Sequence, residues 1–520
     1  MQLSTPDSKA IWTDLGRDDS AADVGTVIDS TGALHIEIDA AAPISYIALR
    51  WRRPLPPDAR ILGDHWERGY GDLEWRAVAP ERVLPWYFLA HEPKSGSTVG
   101  VGVETGASSF ASWRVDEEGL TLVLDTRCGG LGVRLGGRRL HAATVKSLRS
   151  RAGESAFATA KRLCAALCPS PRLPERSVYG GNDWYFRYGD ISDDTVRRDS
   201  ALIRDLAPPG ENIPSYVIDA GWFDSVDCTV GGPYERGNAR FPDMAALAAS
   251  LAANQIRPGI WIRPLLFGSG VPDSWRLPAE HPLSSSKLAY LDPSKPEVLS
   301  QVAADIGRLY DWGYRVIKHD FTTYDITGRW GREMGPEVTP GGWSFADRSR
   351  TTAEILRGLY QTIRDAAADA ILIGCNTVGH LGAGLFEMQR TGDDTSGRHW
   401  ERTRKMGVNT LAFRLAQHNT LFAADADCVG LTKQIDWNKN RQWLDLIARS
   451  GTPLFVSADP DAVVAEQRDA LKQAFAIAAV DQPGAEPLDW METTAPRRWR
   501  FGSETSEYDW NAFEESAFGC

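Results

Sequence analysis

The sequence has no long apolar run, no CxxC pair and no surplus of positive charge, and each absence removes a class of function. No uninterrupted apolar segment approaches the about 18 residues of a membrane-spanning helix, so no membrane partner is expected. The seven cysteines form an odd set without zinc or redox spacing. Cys164 and Cys168 stand at i and i+4 of a helical pattern, which suits packing better than bridging, and no metal site is expected. A formal net charge of −12 offers no cationic surplus to a nucleic acid. No GxGxxG or Walker A loop opens a helix, which argues against a doubly wound nucleotide-binding sheet, and no cofactor is expected. The opening segment, MQLSTPDSKAIWTDLG, lacks the basic end and apolar stretch of a secretory leader, so a reducing, cytoplasmic setting is the expectation.

What is there is ordinary in bulk and unusual in one residue. Hydrophobic residues at 42% and charged residues at 24% are globular values, and 520 residues exceed one ordinary core. Nineteen tryptophans are many for this length, and indoles fill cores as readily as they stack on sugar faces. Residues 1–172 alternate apolar and polar in short runs such as GALHIEIDA, ISYIALRWR, STVGVGVET and LTLVLDTR, broken by turn residues. That pattern predicts an antiparallel β-sandwich. A helical stretch, AFATAKRLCAALC, and a Pro-rich link, PSPRLPE, close the segment.

From there the rhythm becomes strand, helix, strand. Eight apolar strand candidates, from SVYGG to PLFVSAD, alternate with helical patterns over residues 173–482. Parallel strands require such crossovers, so the expected fold is a (β/α)8 TIM barrel. Residues 483–520 read as a short C-terminal β segment.

In such a barrel the chemistry sits at the C-terminal ends of the strands. Those ends carry Asp183 and Trp184, Asp219 and Trp222, Arg263, Lys318 and Asp320, and Cys375 and Asn376. The last of them bear Arg390, Asp393 and Asp394, then Asp425 and Asp427. A single strand-end aspartate is usually a helix cap. Carboxylates on five strands, mixed with aromatics, suit glycoside hydrolysis better, where one carboxylate attacks and another protonates the leaving oxygen. Within YRVIKHDF, Lys318 shares a strand face with Asp320 and is expected to hold that carboxylate ionised. His319 and His380 read as packing residues.

In order along the chain, VIDAGWF, RPGIWIRPL, the helix after YLDPSKPEV, VIKHD, RTGDDTS and DADC resemble the motifs of glycoside hydrolase families 27 and 36. These form the melibiase-like α-galactosidase clan, and the likeness spans roughly residues 177–430. The resemblance implies a retaining α-glycosidase with Asp320 as nucleophile, Lys318 contacting the sugar and Asp219 holding its hydroxyls. Family 36 spacing selects Asp393 as acid/base and family 27 spacing selects Asp394. Asp394 is favoured because it shares strand parity with Arg390. Two departures concern specificity: the clan's second aspartate on strand two is Ala220, and Arg263 replaces the glutamate usual in family 36. Arg263, with Arg187 nearby, could meet an acceptor-rich sugar, or Arg263 could simply pair with an acid.

The expected partner is a carbohydrate, and association with further copies of the chain is left open. Three alternatives accompany this reading: a transglycosylase of the same clan, a lyase forming a Schiff base on Lys318, and an inactive sugar-binding protein.

Overall fold

The computed structural model describes residues 22–52, 54–225, 230–284 and 286–511. The opening segment, Cys228, Cys520 and the end of the expected C-terminal β segment lie outside them. Alternating side chains in the first part build two antiparallel sheets, one of seven strands and one of four. The runs read from the sequence appear as Leu34–Asp39, Tyr46–Trp51, Ser97–Val103 and Leu120–Asp125. The sheets meet through apolar faces, with Trp113 of the smaller edge-on to Phe88 of the larger at 5.7 Å. The helix Ala156–Leu167 follows, capped by Ser155, whose hydroxyl accepts from Ala158 N–H. Cys164 and Cys168 are buried free thiols beside it.

The second part holds a curled sheet of nine strands, parallel at every pairing. The first four in chain order are Tyr179–Asn182, Ser215–Ile218, Arg257–Ile262 and Val316–His319. Ile371–Gly374 and Met388–Arg390 follow. The run expected as one seventh strand is split into Ala423–Asp425 and Cys428–Leu431, and Leu454–Ala458 is the last. The split pieces occupy opposite ends of the sheet, joined only through Ala426 and Asp427. Asp427 takes φ 71°, the left-handed region, to make that break.

The strands are short and almost wholly buried, and amphipathic helices such as Pro296–Asp311 and Thr352–Ala366 cover the outer face. The expected C-terminal strands form a three-stranded antiparallel sheet over Ala485–Glu507. Trp490, beside its first strand, packs on Trp75 and Phe413, so it touches both preceding parts.

The two large parts are closely joined. Gly69 pairs with Gly392 as a parallel bridge, its N–H on Thr391 O at 2.8 Å and its carbonyl on Asp393 N–H at 2.9 Å. Asp64 accepts from Arg414 at 2.7 Å and from Gln417 at 2.8 Å. These contacts carry residues 64–70 onto the C-terminal end of the curled sheet.

Candidate active site

A cavity of about 280 Å³ opens at the strand ends, at the small end of the roughly 300–1,000 Å³ usual for ligand sites. Its floor comes from the second, third and fourth strands. Asp219 and Ala220 follow the second, Trp261 lies in the third, and Lys318 and Asp320 end the fourth. Trp184, Phe321, Trp330, Asp393 and Asp394 line the sides, with Arg68, Tyr70, Arg332 and Arg402.

Asp320 is fixed by three donors. Its Oδ1 accepts from Phe321 N–H at 2.7 Å and Asn376 N–H at 3.0 Å, and its Oδ2 accepts from the Trp261 indole at 3.1 Å. Phe321 adopts φ 62°, and this tight turn brings its own N–H onto the preceding carboxylate. Lys318 does not pair with Asp320 as expected. Its Nζ donates to Asp219 Oδ2 at 2.7 Å, and that oxygen also receives the Asn182 amide at 2.8 Å. The long lysine stem reaches across to the second strand, where Asp219 Oδ1 accepts from Ala220 N–H at 2.9 Å and Oδ2 is left to Lys318 and Asn182. Burial disfavours the ammonium, but the adjacent Asp219 raises the Lys318 pKa well above its ordinary value.

The two acid/base candidates differ in exposure and partners. Asp393 is held between Arg68 at 3.0 Å and Arg402 at 2.9 Å, with its side chain 13% exposed. Asp394 is 37% exposed, accepting from Arg390 at 3.2 Å with Arg68 farther off at 3.9 Å. Burial pushes the Asp394 carboxyl up, yet Arg390, Arg68, Lys318 and Arg402 together hold it down at about 2.

Several expected contacts lie behind the cavity wall. Arg263 makes a two-point ion pair with buried Asp325, Nε to Oδ2 at 3.0 Å and Nη2 to Oδ1 at 2.5 Å, and lies 4.0 Å from the Phe321 ring centre. A buried guanidinium needs a carboxylate, and the helix after the fourth strand supplies one. The expectation that Arg263 meets substrate is therefore corrected, and Arg187 likewise pairs with Asp199 at 2.8 Å. Trp222 is core: its indole donates to Trp261 O at 2.9 Å, with Phe223 and Tyr234 against it.

Arg390, fully buried, supports the floor by reaching Asp427 at 2.7 Å, Asp394, and the Cys375 sulfur at 3.4 Å. Asp427 also accepts from Thr395 at 2.8 Å, and Asp425 Oδ1 accepts from Asp427 N–H at 2.9 Å. Asn376 ties the fifth strand end to Tyr324 N–H at 3.1 Å and to Glu67. Asp183 accepts from Asp219 N–H at 2.9 Å, and burial followed by the Asp219 charge raises its pKa well above the carboxylate range. These residues position the wall without lining it.

His319 packs edge-on to Phe386 at 4.6 Å, and His380 stacks on Trp86 at 4.6 Å while its Nε2 reaches Val103 O at 2.7 Å. Most of the tryptophan excess is packing as well. Trp86, Trp113, Trp343, Trp443 and Trp499 are fully buried, while Trp184, Trp261 and Trp330 face the cavity.

Sequence reading missed Arg68, Tyr70, Trp330, Arg332 and Arg402. For Arg68 and Tyr70 the signal is the density of charged and aromatic residues in HWERGYGDLEW, which interrupts otherwise simple strand alternation.

No family model matches the chain. Solved structures do resemble it. An α-galactosidase of Thermus thermophilus, in complex with p-nitrophenyl α-D-galactopyranoside, superposes with a TM-score of 0.60 at 20% identity, covering 94% of this chain and 99% of that one. The GH36 α-galactosidase AgaA of Geobacillus stearothermophilus gives 0.58 at 14%, over 86% and 65%. An α-galactosidase of Lactobacillus brevis gives 0.59 at 13%, over 88% and 65%. At these identities the likeness is one of fold.

Proposed function

We propose that the protein is a retaining α-glycoside hydrolase whose catalytic unit is the curled sheet, a (β/α)8 barrel with its seventh strand split. The observation behind this reading is a carboxylate, Asp320, immobilised by three donors on a sugar-sized cavity that Asp219, Asp393 and Asp394 also line. In this account Asp320 attacks the anomeric carbon and forms a glycosyl ester. Asp394 gives its proton to the departing oxygen and then takes one from the water that releases the sugar. Asp394 is assigned over Asp393 because its carboxylate is open to the cavity, whereas Asp393 is clamped by two arginines. The four cations that hold Asp394 ionised must be offset when substrate binds, since a general acid has to start protonated.

Asp219 and Lys318 are assigned to sugar hydroxyls as acceptor and donor. Their ion pair keeps Lys318 charged and disfavours the Schiff-base alternative, since an ammonium is no nucleophile. The fold likeness to α-galactosidases supports a galactose-like sugar, and the Ala220 methyl on the cavity wall leaves one acceptor fewer for it.

The reading is tested by following an aryl α-glycoside panel by proton NMR. The first-formed sugar should be the α anomer, and β product would exclude the double displacement. Of Asp393→Asn and Asp394→Asn, the second should slow poor leaving groups far more than nitrophenolate, which needs little protonation. The opposite ranking would move the role to Asp393.

A further inference from the structure

Of the four cations on the cavity wall, three already have carboxylates. Lys318 is on Asp219, and Arg68 and Arg402 share Asp393. Arg332 is different. It is exposed at the mouth, its guanidinium 6.0 Å from the Tyr70 ring centre, and no carboxylate among the described residues lies within ion-pair distance of it.

Arg68 lies behind it, within ion-pair distance of Glu67, Asp393 and Asp394. It is buried, 5.4 Å from the Trp330 ring centre, and its Nε–H has no acceptor. Five guanidinium N–H donors in a fixed fork suit a carboxylate or sulfate. Burying one with an idle donor has a cost, and here Glu67 Oε1, 3.9 Å from that Nε, offsets it only by charge. Each of these two cations has an aromatic lining residue beside it, Trp330 for Arg68 and Tyr70 for Arg332. Arg332 and Trp330 belong to one short segment, which Glu67 holds by accepting Gly331 N–H at 2.9 Å, so the mouth cation is placed by the same strap that delivers Arg68.

We propose that the natural substrate is an anionic glycoside, whose carboxylate or sulfate is received at the cavity mouth by Arg332 with Arg68 behind it. This rests on the hydrolase reading for the site, and it places the anion-reading role at residues other than Arg263.

The test is calorimetric binding to the whole chain, which does not depend on turnover. Galacturonate and glucuronate probe a carboxylate, galactose 6-sulfate probes a sulfate, and galactose and glucose are the neutral partners. At least one acid should bind about tenfold or more tighter than its neutral partner, since hydrogen bonds to charged groups are the stronger kind. The sugar class that shows the preference identifies the anion. Arg332→Gln, a change at an exposed position, should abolish most of that preference, and Arg332→Lys should retain part of it. Equal binding of acidic and neutral sugars by the wild type, no binding of any acid, or a preference unchanged in Arg332→Gln would overturn the proposal. Turnover of aryl α-glycosides is scored separately: its absence with the acid preference intact would remove the hydrolase reading and leave the anion site.

Discussion

At the residue scale the site separates two kinds of buried charge. Asp320 is oriented by N–H donors and has no cation within ion-pair distance among the described residues, which leaves its charge available to an electrophile. Arg263 and Arg390 pair with neighbouring carboxylates behind the wall, while Lys318, on Asp219, still lines the cavity. His319 shows what the outward face of the same strand demands. Neither ring nitrogen has a partner, and burial lowers its pKa to about 3. The unfolded histidine takes a proton near its ordinary pKa of about 6.5 while the folded one resists. Its contribution is therefore complete above that pH and is lost as pH falls toward the folded value. Relative to His319→Leu, the wild type should lose about 1.4 kcal/mol per pH unit below about 6.5. Urea unfolding of both proteins at pH 7, 6 and 5 measures this, and parallel curves would show that the ring protonates freely in the fold.

At the scale of elements, strand ends are placed by local breaks. The left-handed turn at Phe321 aims a backbone N–H at Asp320, and the left-handed Asp427 splits the seventh strand and brings its carboxylate to Arg390. Gly392 allows the helix around Met406 and Thr410 to pack closely behind the Gly69 bridge. A Cβ there would stand 2.1 Å from Met406 O and 2.5 Å from Thr410 Oγ1. Met406 sits in the π-helical stretch Arg404–Asn409, so neither neighbour is the free end of a flexible chain. Gly392→Ala should cost about 1–3 kcal/mol of stability and lower kcat/KM by displacing Asp393 and Asp394. Unchanged stability and turnover would mean that the bridge does not hold the site.

Much of this level is legible in sequence, because period-two runs and strand-end carboxylates are local patterns. Lys318 and Asp320 sharing a face follows from parity alone. The partners do not follow. That Lys318 would reach Asp219, or that Asp325 would neutralise Arg263, depends on which strands and helices become neighbours. The split at DADC does not follow either, because its two aspartates read equally well as the end of one strand, and which sheet edge each side joins depends on distant neighbours.

At the scale of the whole molecule, the antiparallel part completes the cavity. Arg68 and Tyr70 come from the charged, aromatic HWERGYGDLEW stretch of the antiparallel part, and their role depends on a contact with the other part that the stretch alone does not announce. The Asp64–Arg414 pair is a buried ionic tie across that junction. Removing one partner leaves an uncompensated buried charge, so Arg414→Ala should destabilise the protein by about 3–5 kcal/mol. It should also depress turnover before global unfolding, because Arg414 donates to Thr391 O at 3.0 Å beside the Gly69 bridge. A denaturant midpoint within error of wild type would show that the parts are held otherwise.

The assignment of Asp320 as nucleophile is tested most directly by the turnover of Asp320→Ala on p-nitrophenyl α-glycosides, with and without sodium azide. Removing the attacking carboxylate should cut the rate by orders of magnitude while leaving the fold intact. Azide, entering the vacated space, should restore part of it and yield the β-glycosyl azide. A variant that keeps most of the wild-type rate without azide would contradict the account.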